Sequence, residues 1–432
     1  MDTDREAGGR AMLADLLDAS HLMPLDAVAD KASEFARAAG FTDVLIYVAD
    51  VTRYQLHLLA GKDGAPPGSD TDIRIEGTAA GRAYQYGRSM SAVPHEAAQT
   101  EWWLPLVDGT ERLGALRVRS AYDDDRARED ADRLAALLAL LIVAKRTSSD
   151  TLARLTRTEP MTIAAEMAWN LMPPSTYADG RVVISAALEP AYRISGDVYE
   201  YALDGPLVHL TLFDAMGHDT AAGLCGALAL GACRNSRRQG AGLVAKGEAV
   251  EAALVDQYEH RRYVTGILAT LDTRTGVLSW INRGHHPPIL IRGSRWSSHL
   301  QCPPGHPMGT ELGLPTTVCR EQLQAGDRIV LYTDGITDAH RPGESEFGVE
   351  RFTDFLIRRH ADQLPVPETL RRLIQAVMDY HDGDLQDDAT VFMCEWLGPS
   401  VDDTAPAAAL TGLSLTEQPP ARPPDGRGRS EV

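Results

Sequence analysis

The spacing of apolar positions changes repeatedly along the chain, and each change predicts an element. Across residues 10–38, Met12, Leu13, Leu16 and Leu17 fall at helical spacing, which predicts a helix. Short apolar runs at 44–48 and 54–59 predict strands, and the Gly-, Pro- and Asp-rich stretch 61–72 predicts a loop. Runs at 102–107 and 113–119 predict two more strands joined by the turn Asp108-Gly109-Thr110. An Ala- and Leu-rich pattern over 126–145 predicts another helix, so residues 10–145 read as one small α+β unit. A connector follows at 146–178, where Leu152, Leu155, Ile163, Met167 and Leu171 predict one or two amphipathic helices stopped by Pro173-Pro174. It reads either as a packing element or as a signalling helix that pairs with its copy in a homodimer. The polar residues 145–151 break any continuous heptad seam.

From Arg181 onward strands and helices alternate in blocks. Strands are predicted at 182–188, 198–203, 207–213, 264–271, 277–282, 289–291, 328–333 and 389–396. Helices are predicted at 220–237, 246–258, 349–360 and 367–382. This order predicts an α+β sandwich with helices on both outer faces over 179–397. The tail, 398–432, is proline-rich with little apolar pattern and is expected to be disordered.

Composition narrows the field. A chain of 432 residues is long enough for two domains. Its 44% hydrophobic and 24% charged residues exclude a mainly disordered, collagenous or coiled-coil protein. Lys and Arg number 42 against 61 Asp and Glu, a net charge of −19. That balance repels phosphate backbones and argues against nucleic acid or an anionic membrane as partner. It leaves room for a phosphorylated ligand where a cation is held. The five cysteines are odd in number and show no CxxC pair, so neither a disulfide framework nor a thiolate zinc site is expected. Cys225 and Cys233 read as inert buried thiols on a packed helix. The N-terminus lacks an apolar signal core, and the longest apolar run, 134–144, is too short to span a bilayer. A cytoplasmic protein is expected. His21, His57 and His95 stand alone and read as ordinary surface or core residues.

Four aspartates in the second unit sit at predicted strand ends. Asp214 and Asp334 each follow a strand, whereas Asp197 and Asp387 each precede one. In antiparallel neighbours the end of one strand meets the start of the next, so all four can converge on one rim. Glycines beside them, Gly196, Gly217 and Gly335, permit tight turns and close backbone approach. Gathered carboxylates repel one another, and hard divalent cations cancel that cost; oxygen-only ligands select Mg²⁺ or Mn²⁺. Taken singly, an Asp at a strand end is more often a turn or cap residue.

Two resemblances add to this reading. Ile73-Arg74-Ile75-Glu76-Gly77-Thr78-Ala79-Ala80-Gly81-Arg82-Ala83, then Gly87-Arg88, resembles the central segment of GAF domains. Trp103-Leu104-Pro105-Leu106 and Leu113-Gly114-Ala115-Leu116 resemble their closing strands. That implies a GAF-like α/β sensor over 10–145, with a small-molecule ligand of unknown identity in a pocket over the sheet. The region has no cysteine for a thioether-linked chromophore.

The chain from about 180 to 397 resembles the SpoIIE-type branch of the PPM (type-2C) metal-dependent serine/threonine protein phosphatases. The matching blocks stand in the family's order: Glu189-Pro190-Ala191-Tyr192-Arg193-Ile194-Ser195-Gly196-Asp197; Phe213-Asp214-Ala215-Met216-Gly217-His218-Asp219; Asn282-Arg283-Gly284-His285-His286-Pro287-Pro288; the stretch from Gly326 through Asp334-Gly335 to Ala339, with Gly343-Glu344 and Phe347-Gly348; and Asp387-Asp388-Ala389-Thr390.

The resemblance implies an α-β-β-α sandwich and two divalent ions, Mn²⁺ or Mg²⁺. Asp214 would bridge them, Ala215 would lend its backbone carbonyl to one ion, Asp197 would serve one ion through its carboxylate or a water, and Asp334 and Asp387 would complete the second ion's shell. Asp214 and Asp334 would carry catalysis through an activated water, and Asp388 matches a position that is not usually a ligand. Arg193 is a candidate for substrate phosphate, weighed against an ordinary surface role. The chain departs from the pattern at Ser195, Ala215 and Arg283. Met216 occupies the place of the histidine found in animal-type enzymes, and His218 is offset from it, so no histidine is assigned as general acid. His285 reads as a structural hydrogen-bonding residue.

The implied function is removal of phosphate from phosphoserine or phosphothreonine on a small regulator, such as an anti-sigma-factor antagonist, under control of the GAF-like unit. The alternatives are a catalytically silent pseudophosphatase that binds phosphoprotein, and another two-metal phosphohydrolase.

Overall fold

The structure, a computed structural model, describes residues 2–62, 64–92, 100–293, 296–338, 346–361, 365–381, 385, 387–399 and 405–412. His95, the Gly343-Glu344 part of the fourth motif block and the chain beyond 412 lie outside the described residues.

The N-terminal unit contains α1 (Asp2–Ser20), α2 (Val28–Ala36), β1 (Phe41–Ala49), β2 (Gln55–Leu58), β3 (Asp72–Arg74), α3 (Ala79–Tyr86), β4 (Met90–Ala92), β5 (Thr100–Asp108), β6 (Glu111–Ser120) and α4 (Asp125–Arg146). Its antiparallel sheet runs β3-β2-β1-β6-β5-β4. Strand alternation sends Val44, Ile46 and Val48 to the face covered by α1, α2 and α4, and Leu45 and Tyr47 to the face under α3. The single helix expected over 10–38 is instead two, because Pro24 lacks the N–H that a continuing helix needs.

The connector supplies α5 (Asp150–Thr156) and α6 (Ile163–Leu171). It packs on its own chain, where α6 buries Ala165 and Ala168 in the core of the second unit. The Trp169 indole N–H donates to the Ala191 carbonyl at 2.8 Å, and the Thr162 N–H to that of Tyr192 at 2.9 Å. The connector is therefore tied to the segment that leads into Asp197.

The second unit begins with β7 (Thr176–Ala178), β8 (Val182–Glu189), β9 (Asp197–Asp204), β10 (Leu207–Ala215), α7 (Thr220–Arg238), α8 (Leu243–Tyr258), β11 (Val264–Asp272) and β12 (Val277–Arg283). It continues with β13 (Ile289–Arg292), β14 (Trp296–His299), β15 (Cys319–Gln322), β16 (Arg328–Tyr332), α9 (Asp334–Thr337), α10 (Gly348–Ala361), α11 (Val366–Tyr380), β17 (Ala389–Trp396) and α12 (Ala405–Thr411). One antiparallel sheet runs β15-β12-β11-β10-β9 and the other β14-β13-β16-β17-β8-β7. Along β17, Phe392, Cys394 and Trp396 enter the core between the sheets, whereas Ala389, Val391 and Met393 face α10 and α11. Helices α7 and α8 close the opposite side, giving the α-β-β-α sandwich.

Two expectations fail here. The tail is not disordered throughout, because α12 buries Ala407 and Thr411 against the sandwich. Cys302 and Cys319 form a disulfide, although none was expected. Their separation of 17 residues has no signature, and β15 pairing beside β12 brings Cys319 to this side of the sheet. No helix among the described residues is long and apolar enough to cross a membrane.

The carboxylate rim, a candidate metal centre

Asp197 opens β9 and faces Asp214, its direct cross-strand partner near the end of β10. Opposed residues on neighbouring strands share a face with Cβ atoms roughly 5 Å apart, so these two carboxyls are held on one side of the first sheet. Asp334 begins α9 just after β16, and Asp387 lies just before β17, both strands of the second sheet. Hydrogen bonds join the rims: Asp197 Oδ2 accepts from the Thr333 hydroxyl at 2.7 Å and from the Thr390 hydroxyl at 2.5 Å. The two sheets thus bring all four aspartates to one edge of the sandwich.

Electrostatics mark the same convergence. Burial first, then the carboxylates of Asp334, Asp387 and Asp388, pushes the Asp214 carboxyl up to about 7. Burial and the neighbouring Asp214 and Asp388 raise Asp197 well above the usual carboxylate range. Burial also raises Asp387, partly offset by the Asp388 N–H and by nearby His218. Among the described residues, no lysine or arginine pairs with Asp197, Asp214, Asp334 or Asp387.

The donor set suits a hard cation, since it is all oxygen and no lysine or arginine among the described residues pairs with it. Backbone oxygen is concentrated at the same place. A Cβ added to Gly196 would stand 2.5 Å from the Ala215 carbonyl oxygen and 3.2 Å from that of Gly217. Among the described residues the acidic side chains are gathered but not closed into a shell around one point. Asp197 is turned toward its two threonines, and Asp388 toward a different task.

That task was not foreseen. Asp388 Oδ2 accepts the backbone N–H groups of Ser195 and Gly196 at 2.8 Å and of Asp197 at 3.3 Å, together with the Ser195 hydroxyl at 3.2 Å. It orders the turn that presents Asp197, and the departure at Ser195 adds a donor to it. His285 is buried and its pKa falls to about 4, mainly through burial. Its Nε2 lies 3.0 Å from the Tyr332 carbonyl, which can only accept, so the proton sits on Nε2. Nδ1 then accepts from Thr265 at 2.9 Å, the residue opposite Asp214 on β11.

Arg283 is buried. It donates to Glu251 at 2.8 Å, to the His306 carbonyl at 3.0 Å and to Thr316 at 3.1 Å. This unusual residue of the third motif therefore fastens α8 to the 302–319 loop. Arg193 is exposed on the turn before Ser195, and Met216 is partly exposed beyond Asp214. His218, set aside as offset, is close enough to influence Asp387. Outside the rim, His57 pairs with Asp72 at 2.5 Å and His21 is exposed.

A family model described as Stage II sporulation protein E (SpoIIE) matches residues 204–397. Protein IcfG from Synechocystis sp. is 28% identical over 130 residues, 30% of this chain and 20% of that protein, so the chain spans about a fifth of that relative's length. The SiaA-PP2C domain of Pseudomonas aeruginosa is similar with a TM-score of 0.47 and 18% identity, covering 59% of this chain and 99% of that one. The RsbU and RsbW domains of Rv1364c from Mycobacterium tuberculosis give 0.45 and 23%, covering 53% and 62%. The PP2C phosphatase domain of SpoIIE from Bacillus subtilis, with a fragment of its regulatory domain, gives 0.41 and 20%, covering 50% and 62%. The matched stretch holds Asp214, Asp334 and Asp387 and begins after Asp197, so the rim is assembled from it and the strand before it: residues 204–397 match the SpoIIE family model.

Proposed function

We propose that the chain is a metal-dependent protein serine/threonine phosphatase whose N-terminal unit is a GAF-like sensor, and that its substrate is a small phosphorylated regulator of the anti-sigma-factor-antagonist kind. The observation that carries this is the rim itself, four strand-end carboxylates without a protein cation inside a SpoIIE-family domain.

Asp197, Asp214, Asp334, Asp387 and the Ala215 carbonyl would hold two divalent ions, Mn²⁺ or Mg²⁺. When bound, such ions supply the positive charge that offsets the carboxylates and acidify water for attack on a phosphoryl group. The chain's own part is positioning. Thr333 and Thr390 fix one oxygen of Asp197 and leave the other without a hydrogen-bond partner among the described residues. Asp388 holds the preceding turn, and neutral His285 steadies Thr265 behind Asp214. Exposed His218 lies near enough to Asp387 to influence its carboxyl.

The test is phosphate release from a phosphoserine peptide with Mn²⁺ and with EDTA, for wild type and Asp214→Ala. Release that needs the ion and disappears in the variant supports the reading. A folded, Mn²⁺-binding protein without turnover would replace it with a phosphoprotein-binding role. Hydrolysis of a phosphodiester but no phosphopeptide would point to another two-metal hydrolase.

A further inference from the structure

A cavity of about 490 Å³ lies between the N-terminal unit, the connector and the second unit. Its size is that of a small-molecule site. The face of the N-terminal sheet under α3, where a sensor ligand was expected, is packed with Tyr47, Tyr84 and Trp103, the Tyr47 and Trp103 rings 5.3 Å apart. The open space is instead at the seam.

Its wall has two characters. Val48, Leu113, Ile142, Leu152, Met161 and Trp169 make one part apolar. Arg53, Arg112 and Arg371 make another part cationic. Other charges on the wall are answered locally: Arg146 by Glu111 at 2.7 Å, Arg157 by Glu166 at 2.6 Å, Arg371 by Glu368 at 2.7 Å. Asp50 is occupied by the backbone N–H groups of Tyr54 and Gln55. Arg53 and Arg112 pair with no carboxylate among the described residues; Arg53 reaches the Ser175 hydroxyl and Arg112 the Thr411 carbonyl. Two buried guanidinium nitrogens, Arg112 Nε and Arg371 Nη1, have no hydrogen-bond partner among the described residues. Burial lowers Arg112 only to about 10, so it keeps its charge at neutral pH.

A buried cation with an unused N–H, lining a half-open space of mixed polar and apolar wall, is stabilised by an anion placed there. We propose that this seam cavity binds a small organic anion with an apolar body, its carboxylate or phosphate held by Arg112 and Arg53 and its body against Ile142, Leu152, Met161 and Trp169. The site stands independently of the phosphatase reading, because none of its residues belongs to the rim. Its ligand touches both units and the connector, and Trp169 on its wall is bonded to the turn before Asp197.

The test uses the full chain in EDTA, with 8-anilinonaphthalene-1-sulfonate as the fluorescent probe. Wild type is expected to bind about one probe saturably, and 1-naphthoate or 1-naphthyl phosphate to displace it, their ranking separating carboxylate from phosphate. Naphthalene-1-sulfonamide, the same body without charge, is expected not to compete. Arg112→Gln and Arg53→Gln should each weaken binding about tenfold, with circular dichroism and melting temperature showing an intact fold. Arg53→Gln keeps the test decisive if Arg112→Gln unfolds. Unsaturable binding, equal affinity in the folded variants, failure of both anions to compete, or competition by the sulfonamide would overturn the proposal.

Discussion

Among the described residues, the four carboxylates gathered at the sandwich rim have no lysine or arginine paired to them, whereas at the seam Arg53 and Arg112 line a cavity with no carboxylate paired to them. Each place holds partly buried charges without an opposite charge paired to them among the described residues, which a protein tolerates with a partner from outside or a shifted protonation state. The carboxylates answer by shifting, Asp214 reaching about 7, because a proton can neutralise them. Arginine has no such escape near neutral pH, and Arg112 stays charged. The unpaired carboxylates of the rim and the unpaired guanidinium groups of the seam are built from different parts of the chain.

The largest effect should come from breaking the rim. Asp214→Asn removes charge at its centre, and we expect phosphopeptide hydrolysis to fall about a thousandfold, ~4 kcal/mol of barrier. Calorimetry with Mn²⁺ should show weaker ion binding in the same variant. Unchanged turnover would end the assignment of Asp214.

The seam should break next. Glu368 is buried and accepts from Arg371, Arg372 and, at 3.3 Å, from Gln85 of the N-terminal unit. Glu368→Gln removes the buried carboxylate from Arg371, which keeps only the exposed Glu76 as a counter-ion, and should cost about 3 kcal/mol in urea denaturation. A shift below a few tenths would show that the seam does not rely on this pair.

A smaller effect distinguishes holding a loop from holding an ion. Asp388→Ala orphans three backbone N–H groups and should cost about 1–3 kcal/mol, while Asp388→Asn keeps an acceptor and should cost less than about 1. Equal losses in the two variants would mean that the charge of Asp388, not its acceptor role, matters.

The smallest effect is a pH slope beside the seam. Burial pushes the Glu189 carboxyl from 4.5 up to about 7 in the folded chain. Between those values the native state binds the extra proton, so this group's contribution to stability falls as pH rises from about 4.5 to 7. Glu189→Gln should flatten that part of the profile of denaturation midpoint against pH; an identical slope would refute it.

The rim was far more legible in the sequence than the seam. Asp197, Asp214, Asp334 and Asp387 each sit in a short block beside glycine or at a clear strand boundary, so local pattern marks them as candidates and the family resemblance joins them. Their helpers were harder to find. Thr265, Thr333 and Thr390 are ordinary strand residues until the two sheets face each other, and Asp388 looks like a duplicate of Asp387 until its carboxylate meets the 195–197 turn. Nothing in the sequence joins Arg53, Arg112 and Arg371, which come from a loop, a strand and a distant helix.

By itself the sequence determined the alternation of elements, the two units and the acidic residues at strand ends, because hydrophobic period, proline and glycine act over a few neighbouring residues. It misplaced the break at Pro24, the helix Ala405–Thr411 and the Cys302–Cys319 pair. Only the tertiary structure decided these last two, and with them the joining of the rims and the cavity at the seam. Each depends on which surfaces meet, and burial, charge coupling and hydrogen-bond partners between residues hundreds of positions apart exist only after the layers have packed.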